Sequence, residues 1–400
     1  MTESLVRELY EKFPYPQKPK NFKYYASPGF ALKKLNFRLQ RRELNCFAAN
    51  LRIWIAGAGT ASAVKTALNF PQAQILATDI SEKSLQISKQ LAERFGVKNI
   101  THEVEALGVR NRQNEFDLVI CTGVLHHLPE PSEGLRILRE ALKPQGAAHL
   151  MVYNTQHRAF ARSMQHATAL LCAQPEVLSG KEEAALRLMN EILSSEHFGY
   201  LREKMRKLHE LNNVEVFADT VLHPLETSFS VDTLFSLISE NGFRFVNWYN
   251  PEAWDPMNLL KDERLRQEAE KLDLFERSKL VYLLKNEASP LLEFFVEKSD
   301  APRRLSYSDE EILKFKLQAP PDVLERSLEE PDRLIRHNWA DQAAKAPLSD
   351  LYLKLLENCD GVRTIEEHIE FLEANGGQRM DLKQIKSLLN SKTSLLAPCF

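Results

Sequence analysis

Cysteine is scarce in this chain, and no two cysteines stand close together. There are five in 400 residues, and none forms a C-x-x-C pair. An odd number of scattered cysteines argues against a disulfide framework, and no cluster of possible ligands has the spacing of a metal site. We therefore expect a reducing compartment, the cytoplasm, and no metal ion.

Long apolar runs and an excess of positive charge are also missing. No uninterrupted apolar stretch reaches the roughly 18 residues that a membrane span needs. The N-terminus, Met1–Glu8, is charged where a signal peptide would be apolar. The net charge of −3 offers no large basic field to neutralise phosphates. Neither a membrane nor a nucleic acid is therefore expected as a partner.

Short apolar runs alternate with helical patterns along the first half of the chain. The predicted strands are Leu51–Ala56, Gln74–Ala77, Asn99–Val104, Phe116–Cys121 and Ala147–Tyr153, and later Phe243–Tyr249 and Leu291–Glu297. Predicted helices follow the first, second and fourth strands, and another spans Val231–Asn241. This order predicts an α/β fold, a doubly wound and mostly parallel seven-stranded sheet with helices on both faces.

The remaining segments suggest three additions to that sheet. Residues 1–50 form an N-terminal segment whose run Tyr10–Pro16 is rich in aromatics and prolines, so it should lie extended over a surface, as a lid or as simple packing. Residues 51–300 form the main domain, with helical insertions near 155–215 and 262–284. Residues 301–400 form a small helical or winged-helix domain, with a turn at Asp360-Gly361.

A glycine-rich turn follows the first strand and points to a nucleoside cofactor. Gly57 and Gly59 let the backbone approach a ligand, and the next helix directs its N–H groups at it. Asp79 ends the second strand, where a carboxylate can accept hydrogen bonds from both ribose hydroxyls; capping the next helix is its alternative role. A dinucleotide site would have a third glycine where this chain has Ser62.

The region after the fourth strand distinguishes the cofactor classes. Residues 116–128 read FDLVICTGVLHHL, and residues 138–146 read LREALKPQG. In this order and spacing they resemble the class I S-adenosylmethionine-dependent methyltransferases, which have a Rossmann-like fold. The resemblance covers about Leu51–Tyr153 and implies S-adenosylmethionine as the cofactor.

The resemblance also implies site residues. The cofactor would contact the glycine loop, the end of the second strand and the loops after the third and fourth strands: Gly57, Ala58, Gly59, Thr60, Asp79, Ile80, Glu105, Thr122, Gly123 and Val124. Two positions depart from the family, Ile55 where it usually has an acid and Ala61 in place of a glycine. The anchor of the cofactor's amino group is therefore open, and Tyr10, Tyr15 or Tyr24 could supply it.

Methyl transfer from a sulfonium needs a positioned acceptor, and a base only where the acceptor must lose a proton. His126 and His127 stand at the mouth of the predicted site as candidate catalytic residues. Tyr15, Tyr153, Asn154 and His223 are candidate acceptor contacts, since open α/β sheets bind ligands at the carboxyl ends of their strands.

The last hundred residues leave the acceptor class open. They carry 14 Lys and Arg against 17 Asp and Glu, which disfavours DNA binding. Residues 353–367, LKLLENCDGVRTIEE, resemble peptide-binding winged-helix modules and the tail of certain bacterial protein lysine methyltransferases. Three hypotheses follow: a small-molecule methyltransferase, a protein or peptide methyltransferase that docks its substrate here, and an inactive regulatory protein. A nicotinamide-dependent oxidoreductase is a more distant fourth.

Overall fold

A computed structural model describes most of the chain. The described residues are 2–16, 28–41, 46–174, 177–210, 213–285, 291–302, 307–318, 334–335, 346–347, 359–374, 382, 385, 389 and 397–399. Tyr24, and residues 350–358 of the expected C-terminal domain, lie outside them.

A seven-stranded sheet forms the centre of the molecule. Its strands are β1 Arg52–Ala56, β2 Gln74–Asp79, β3 Ile100–Val104, β4 Phe116–Thr122, β5 Leu142–Tyr153, β6 Phe243–Trp248 and β7 Leu291–Lys298. The order is β3-β2-β1-β4-β5-β7-β6, and β7 alone runs antiparallel to its neighbours. The predicted fold class is therefore confirmed. The order reverses between β1 and β4, which opens a crevice at the carboxyl edge, where such sheets bind ligands.

Helices cover both faces of the sheet. In chain order they are α1 Thr2–Lys12, α2 Pro28–Arg38, α3 Ser62–Asn69, α4 Glu82–Arg94, α5 Pro131–Ala141, α6 Thr155–Leu171, α7 Leu178–Ser194, α8 Gly199–Glu210, α9 Val214–Phe217, α10 Val231–Glu240, α11 Glu263–Glu270, α12 Leu274–Leu284, α13 Asp309–Leu313 and α14 Ile365–Ala374. On one face α5, α10 and α12 bury Leu138, Leu234 and Val281. On the other, α2 and α3 bury Leu35 and Ala67. None of the described helices is both long and apolar enough to cross a bilayer.

The helices α6 to α8 form a cap beside the carboxyl edge. Their apolar side chains, with those of the π-helical turn Ala218–Leu222, pack into a core of their own. Leu9 of α1 is buried in the same core, so the N-terminal helix is part of this wall. A cap built this way closes one side of the crevice.

The N-terminal prediction was wrong in part. The aromatic segment was expected to be extended from Tyr10, but α1 continues to Lys12, and only the residues from Phe13 onward are non-helical. Helix α1 ends just before Pro14, as helices usually end before a proline, while its own residues have no proline to interrupt them. Helix α2 was not predicted either.

The C-terminal residues also differ from expectation. Four short strands are described there besides β11: β8 Lys316–Gln318, β9 Leu334–Ile335, β10 Ala346–Pro347 and β12 Ala397–Cys399. The predicted turn at Asp360-Gly361 instead begins strand β11, Asp360–Thr364, which pairs with β8. Pairing with a distant strand overrides the turn preference of Asp-Gly. Phe37 of α2 packs in the same small core, and the Tyr307 hydroxyl donates to the Arg41 carbonyl at 2.6 Å, so this region packs on α2.

Candidate active site

A cavity of about 850 Å³ lies at the carboxyl edge of the sheet. Twelve of the sequence-predicted residues line it: Tyr15, Gly57, Ala58, Gly59, Asp79, Ile80, Glu105, Thr122, Gly123, Val124, His127 and Tyr153. The cavity lining does not include the other four predicted site residues, Thr60, His126, Asn154 and His223. Residues far apart in the chain therefore converge on one space.

The glycine loop is tightly held between strands and the N-terminal segment. Gly57 has φ +72°, and a Cβ there would come within 2.1 Å of Val124 Cγ2. The Gly57 and Ala58 N–H groups both donate to the Thr78 carbonyl at 2.9 Å. The Thr60 hydroxyl donates to the Pro16 carbonyl at 2.7 Å. The loop therefore cannot accept side chains here, and residues 15–16 lie directly against it.

Asp79 links the loops that follow β1 and β2. Its Oδ2 accepts from the Gly59 N–H at 2.8 Å, and its Oδ1 from the Ser81 N–H at 2.9 Å. Burial raises the pKa of this carboxyl group, and the two N–H donors oppose that rise. Ser81, whose hydroxyl accepts from the Ser84 N–H, is the N-cap of α4, so Asp79 does not fill that role. A carboxylate has about four acceptor positions, so Asp79 keeps acceptor capacity for a ligand hydroxyl beside its backbone donors.

Glu105 lines the cavity as one partner of a buried ion pair. Arg112 donates to both of its carboxylate oxygens, at 2.5 and 2.9 Å, and Arg110 lies 3.2 Å away. The Arg112 guanidinium in turn lies 4.9 Å from the centre of the Trp54 ring. The carboxylate is thus fixed in place with its main charge partner inside the protein.

His127 faces the cavity in a defined tautomer. Its Nδ1 lies 3.0 Å from the Leu225 carbonyl oxygen. A carbonyl oxygen can only accept, so the neutral ring carries its proton on Nδ1 and a lone pair on Nε2. Burial lowers the pKa of His127, while Asp219 acts in the opposite direction. The ring is therefore neutral near pH 7 and can act as a base.

His126 and His223 lie behind His127 and outside the cavity. The His223 ring stacks on His127 at 3.6 Å, and His126 lies 3.9 Å from the Tyr153 ring centre. Burial lowers the pKa of both well below the ordinary value. Neither nitrogen of His126 has a hydrogen-bond partner in the described part of the chain. Both rings pack against site residues without access to a ligand.

Asn154 has a structural position at the end of β5. It is fully buried, and its side-chain oxygen accepts from the Gln156 N–H at 3.0 Å as the N-cap of α6. Thus it turns the chain from the sheet into the cap, and it lies outside the cavity.

Asp219 is a cavity residue that sequence reasoning missed. Tyr10 and Tyr153 donate to its two carboxylate oxygens, at 3.0 and 2.9 Å. Burial, then the charge of Asp219, raises the pKa of both tyrosines well above the ordinary value, so both remain donors. The three residues lie 209 and 66 positions apart in sequence, and no local motif could have joined them.

Comparisons with known proteins agree with this geometry. Residues 54–148 match the family described as "Methyltransferase domain". An uncharacterized protein of Synechococcus sp. is 29% identical over 98% of this chain and 93% of its own length. The ubiquinone biosynthesis O-methyltransferase of Albidiferax ferrireducens is 25% identical over 42% of this chain and 65% of that protein.

A solved structure extends the likeness to nearly the whole fold. PKMT2 from Rickettsia typhi, solved in complex with AdoHcy, superposes with a TM-score of 0.60 over 94% of this chain and 77% of its own. At 12% identity that likeness concerns the fold alone. The matched family span, in contrast, contains the glycine loop, Asp79 and the β4–β5 unit. The chain therefore carries a methyltransferase domain at residues 54–148, of the S-adenosylmethionine-dependent type.

Proposed function

We propose that this enzyme transfers the methyl group of S-adenosylmethionine to a small-molecule acceptor, with His127 as the base. The observation that carries the proposal is the position of His127, a neutral imidazole with its lone pair on Nε2, in the lining of the cavity that also contains the glycine loop. A volume of about 850 Å³ falls in the upper range of small-molecule sites, so it leaves room for an acceptor beside a cofactor.

The residues around the cavity fit this cofactor. The glycine loop, with Gly57, Ala58 and Gly59, would hold the methionine part, and Asp79 would accept from the ribose hydroxyls. Thr60 lies behind the loop and would support it through its bond to the Pro16 carbonyl. Ile80, Glu105, Thr122, Gly123 and Val124 would border the adenosine. The tight space around Gly57 and the remaining acceptor capacity of Asp79 support these roles.

The chemistry divides between cofactor and chain. S-adenosylmethionine, when bound, supplies an electrophilic methyl group on a good leaving group. The chain orients the acceptor and accepts its proton at His127 Nε2, while the Leu225 carbonyl holds the Nδ1 proton. Once protonated, the imidazolium is favoured by the nearby Asp219 carboxylate. Tyr15 and Tyr153 would contact the acceptor, and His126, Asn154 and His223 would support these residues from behind.

Calorimetric binding tests the cofactor half of the proposal. S-adenosylmethionine and S-adenosylhomocysteine should bind the wild type, and Asp79→Ala should weaken both at least tenfold, the value of one or two lost charge-assisted hydrogen bonds. Glu183→Ala, on the exposed side of α7, is the matched control. Equal affinity in wild type and Asp79→Ala would remove Asp79 from the cofactor site.

The acceptor half is tested with cofactor that carries a tritiated methyl group. Wild-type enzyme is incubated with a cell extract, which is then separated by ultrafiltration. We expect enzyme-dependent label in the small-molecule fraction. Label that appears only in the protein fraction would overturn the small-molecule assignment while leaving methyl transfer intact.

A further inference from the structure

The cavity extends from the carboxyl edge down one face of the sheet, under α2. We call this part the inner arm and define it by Leu35, Arg38, His149, Tyr249, Glu293 and Phe295, which all line the cavity. His149 stands four residues before Tyr153 on β5, so it lies about 13 Å below the edge at the usual strand rise. The inner arm is therefore at the far end of the cavity from the edge where His127 lies.

Arg38 is a buried cation that the described chain does not neutralise. It is 4% exposed and lines the cavity, and its guanidinium lies 4.5 Å from the centre of the Tyr249 ring. Its Nε has no hydrogen-bond partner, and no carboxylate in the described ranges forms an ion pair with it. In contrast, the buried Arg41 and Arg112 pair with Glu297 and Glu105. A buried charge without a partner is costly, and an anionic ligand would offset that cost.

The surrounding charges favour an anion. The one carboxylate of the inner arm, on Glu293, is held by His149 at 3.0 Å. Lys34 also lines the cavity, and burial, then the charge of Arg38, holds the pKa of Lys34 well below its ordinary value. An anion bound beside it would favour the charged ammonium form of Lys34. A planar guanidinium matches the two oxygens of a carboxylate in shape and charge.

The walls between the two ends of the cavity are apolar. Leu118, Ile120 and Phe295 project from the sheet, and Leu35 faces them from α2. A ligand that reaches from the inner arm to the edge must therefore have an apolar body about 13 Å long.

We propose that the inner arm receives the carboxylate of the methyl acceptor, an elongated apolar acid, with Arg38 as the carboxylate's partner. This inference rests on the proposed function in that acceptor and cofactor share one cavity. The acid end lies at Arg38, and the group to be methylated lies at the edge, near His127.

Binding of a matched pair of probes tests the inference. ω-Hydroxydodecanoate and its neutral amide, ω-hydroxydodecanamide, have the same length and body and differ only in charge at the end that Arg38 would meet. We expect the wild-type protein to bind the acid at least tenfold more tightly than the amide, since a charge-assisted hydrogen bond is worth that much or more. Arg38→Met should abolish the preference and Arg38→Lys should retain part of it. Lys33→Met, on the same helix but outside the cavity lining, is the control and should keep it.

S-adenosylhomocysteine, titrated into each variant, separates the possible failures. Unchanged affinity for it in Arg38→Met, with the acid preference lost, supports the inference. A loss of its affinity in Arg38→Met would assign the guanidinium to the cofactor's own carboxylate and overturn the inference. The inference would also be overturned if the wild type bound the acid and the amide equally. The proposed function would still stand in that case, provided that the wild type binds S-adenosylhomocysteine. A wild type that prefers the acid but does not bind S-adenosylhomocysteine would refute the proposed function alone.

Discussion

The two ends of the cavity differ in whether their buried charge is paired within the protein. At the edge lies the mouth cluster of Tyr10, His127, Tyr153, Asp219 and His223, whose carboxylate is paired within the protein because both tyrosines donate to it. Burial lowers the pKa of each histidine in it, which leaves the rings neutral. In the inner arm, the buried Arg38 guanidinium has no carboxylate partner in the described structure. A buried charge that is paired within the protein holds its neighbours in place, whereas a buried charge without a partner favours a ligand of opposite charge.

This difference assigns different tasks to the two ends. The mouth cluster keeps its geometry without a ligand, which suits a group that must transfer a proton in a fixed position. The inner arm gains most when a ligand binds, which suits recognition. Three kinds of experiment test this contrast. They are a change of pH, the removal of the Asp219 carboxylate, and the substitution of one histidine at each end of the cavity.

Acidification should give the largest effect, a loss of stability. His126, His127 and His223 have lowered pKa values in the folded protein, and an unfolded histidine titrates near 6.5. Below that pH the unfolded chain binds more protons, so the free energy of unfolding falls as pH falls. From pH 7.5 to 5.5 each histidine that stays neutral contributes a loss of about 1.4 kcal/mol, and three that stay neutral lose about 4 kcal/mol together. Urea denaturation across this range measures it.

A substitution isolates the histidine contribution from that of other titrating groups. His126→Leu removes a ring whose nitrogens have no partner in the described residues, so it should flatten the pH dependence by about a third. His166→Gln, at an exposed position of the cap, is the control. An unchanged slope in His126→Leu would show that this ring is protonated in the folded protein.

Asp219→Ala should destabilise the protein by about 3 kcal/mol, because it leaves two buried tyrosine hydroxyls without their acceptor. The same substitution in a Tyr10→Phe, Tyr153→Phe background should cost much less, since no hydroxyl then loses a partner. Chemical denaturation of the wild type, Asp219→Ala, the double Tyr→Phe variant and the triple variant measures the free energies of unfolding that this mutant cycle needs. Equal costs in both backgrounds would mean that the tyrosines do not depend on Asp219, and that the mouth cluster is not a cooperative network.

The sequence predicted the parts of the site that rest on local chemistry. A glycine turn after a strand, an acid at the end of the next strand and the FDLV and VLHHL runs are short patterns with fixed spacing. Strands β1 to β5 were therefore found to within a few residues, although β5 begins at Leu142, earlier than expected. The glycine loop and Asp79 line the cavity as the spacing indicated.

The opposite walls of the cavity could not be predicted in the same way. Asp219 reaches the site because the cap folds back over β5, and Arg38 because α2 packs against the sheet; neither residue belongs to a local pattern. The adjacent residues His126 and His127 also show that a local pattern does not determine which side chain reaches the cavity. Adjacent residues of one short 3-10 helix, Leu125–His127, point in different directions, and only the fold determines that His127 faces the cavity.

The last comparison exchanges one histidine at each end of the cavity. His127→Gln removes the base, so the rate of tritiated-methyl transfer into the small-molecule fraction should fall about a hundredfold at saturating substrate, within the usual range for general-base catalysis. His149→Gln leaves the base in place but disturbs the Glu293 carboxylate, which lines the same inner arm as Arg38, so it should raise KM and leave kcat within a few-fold. S-adenosylhomocysteine affinity, measured by calorimetry, should stay the same in both variants. A fall in kcat for His149→Gln with none for His127→Gln would reverse the assignment, since it would place the reacting group in the inner arm and the recognition group at the mouth.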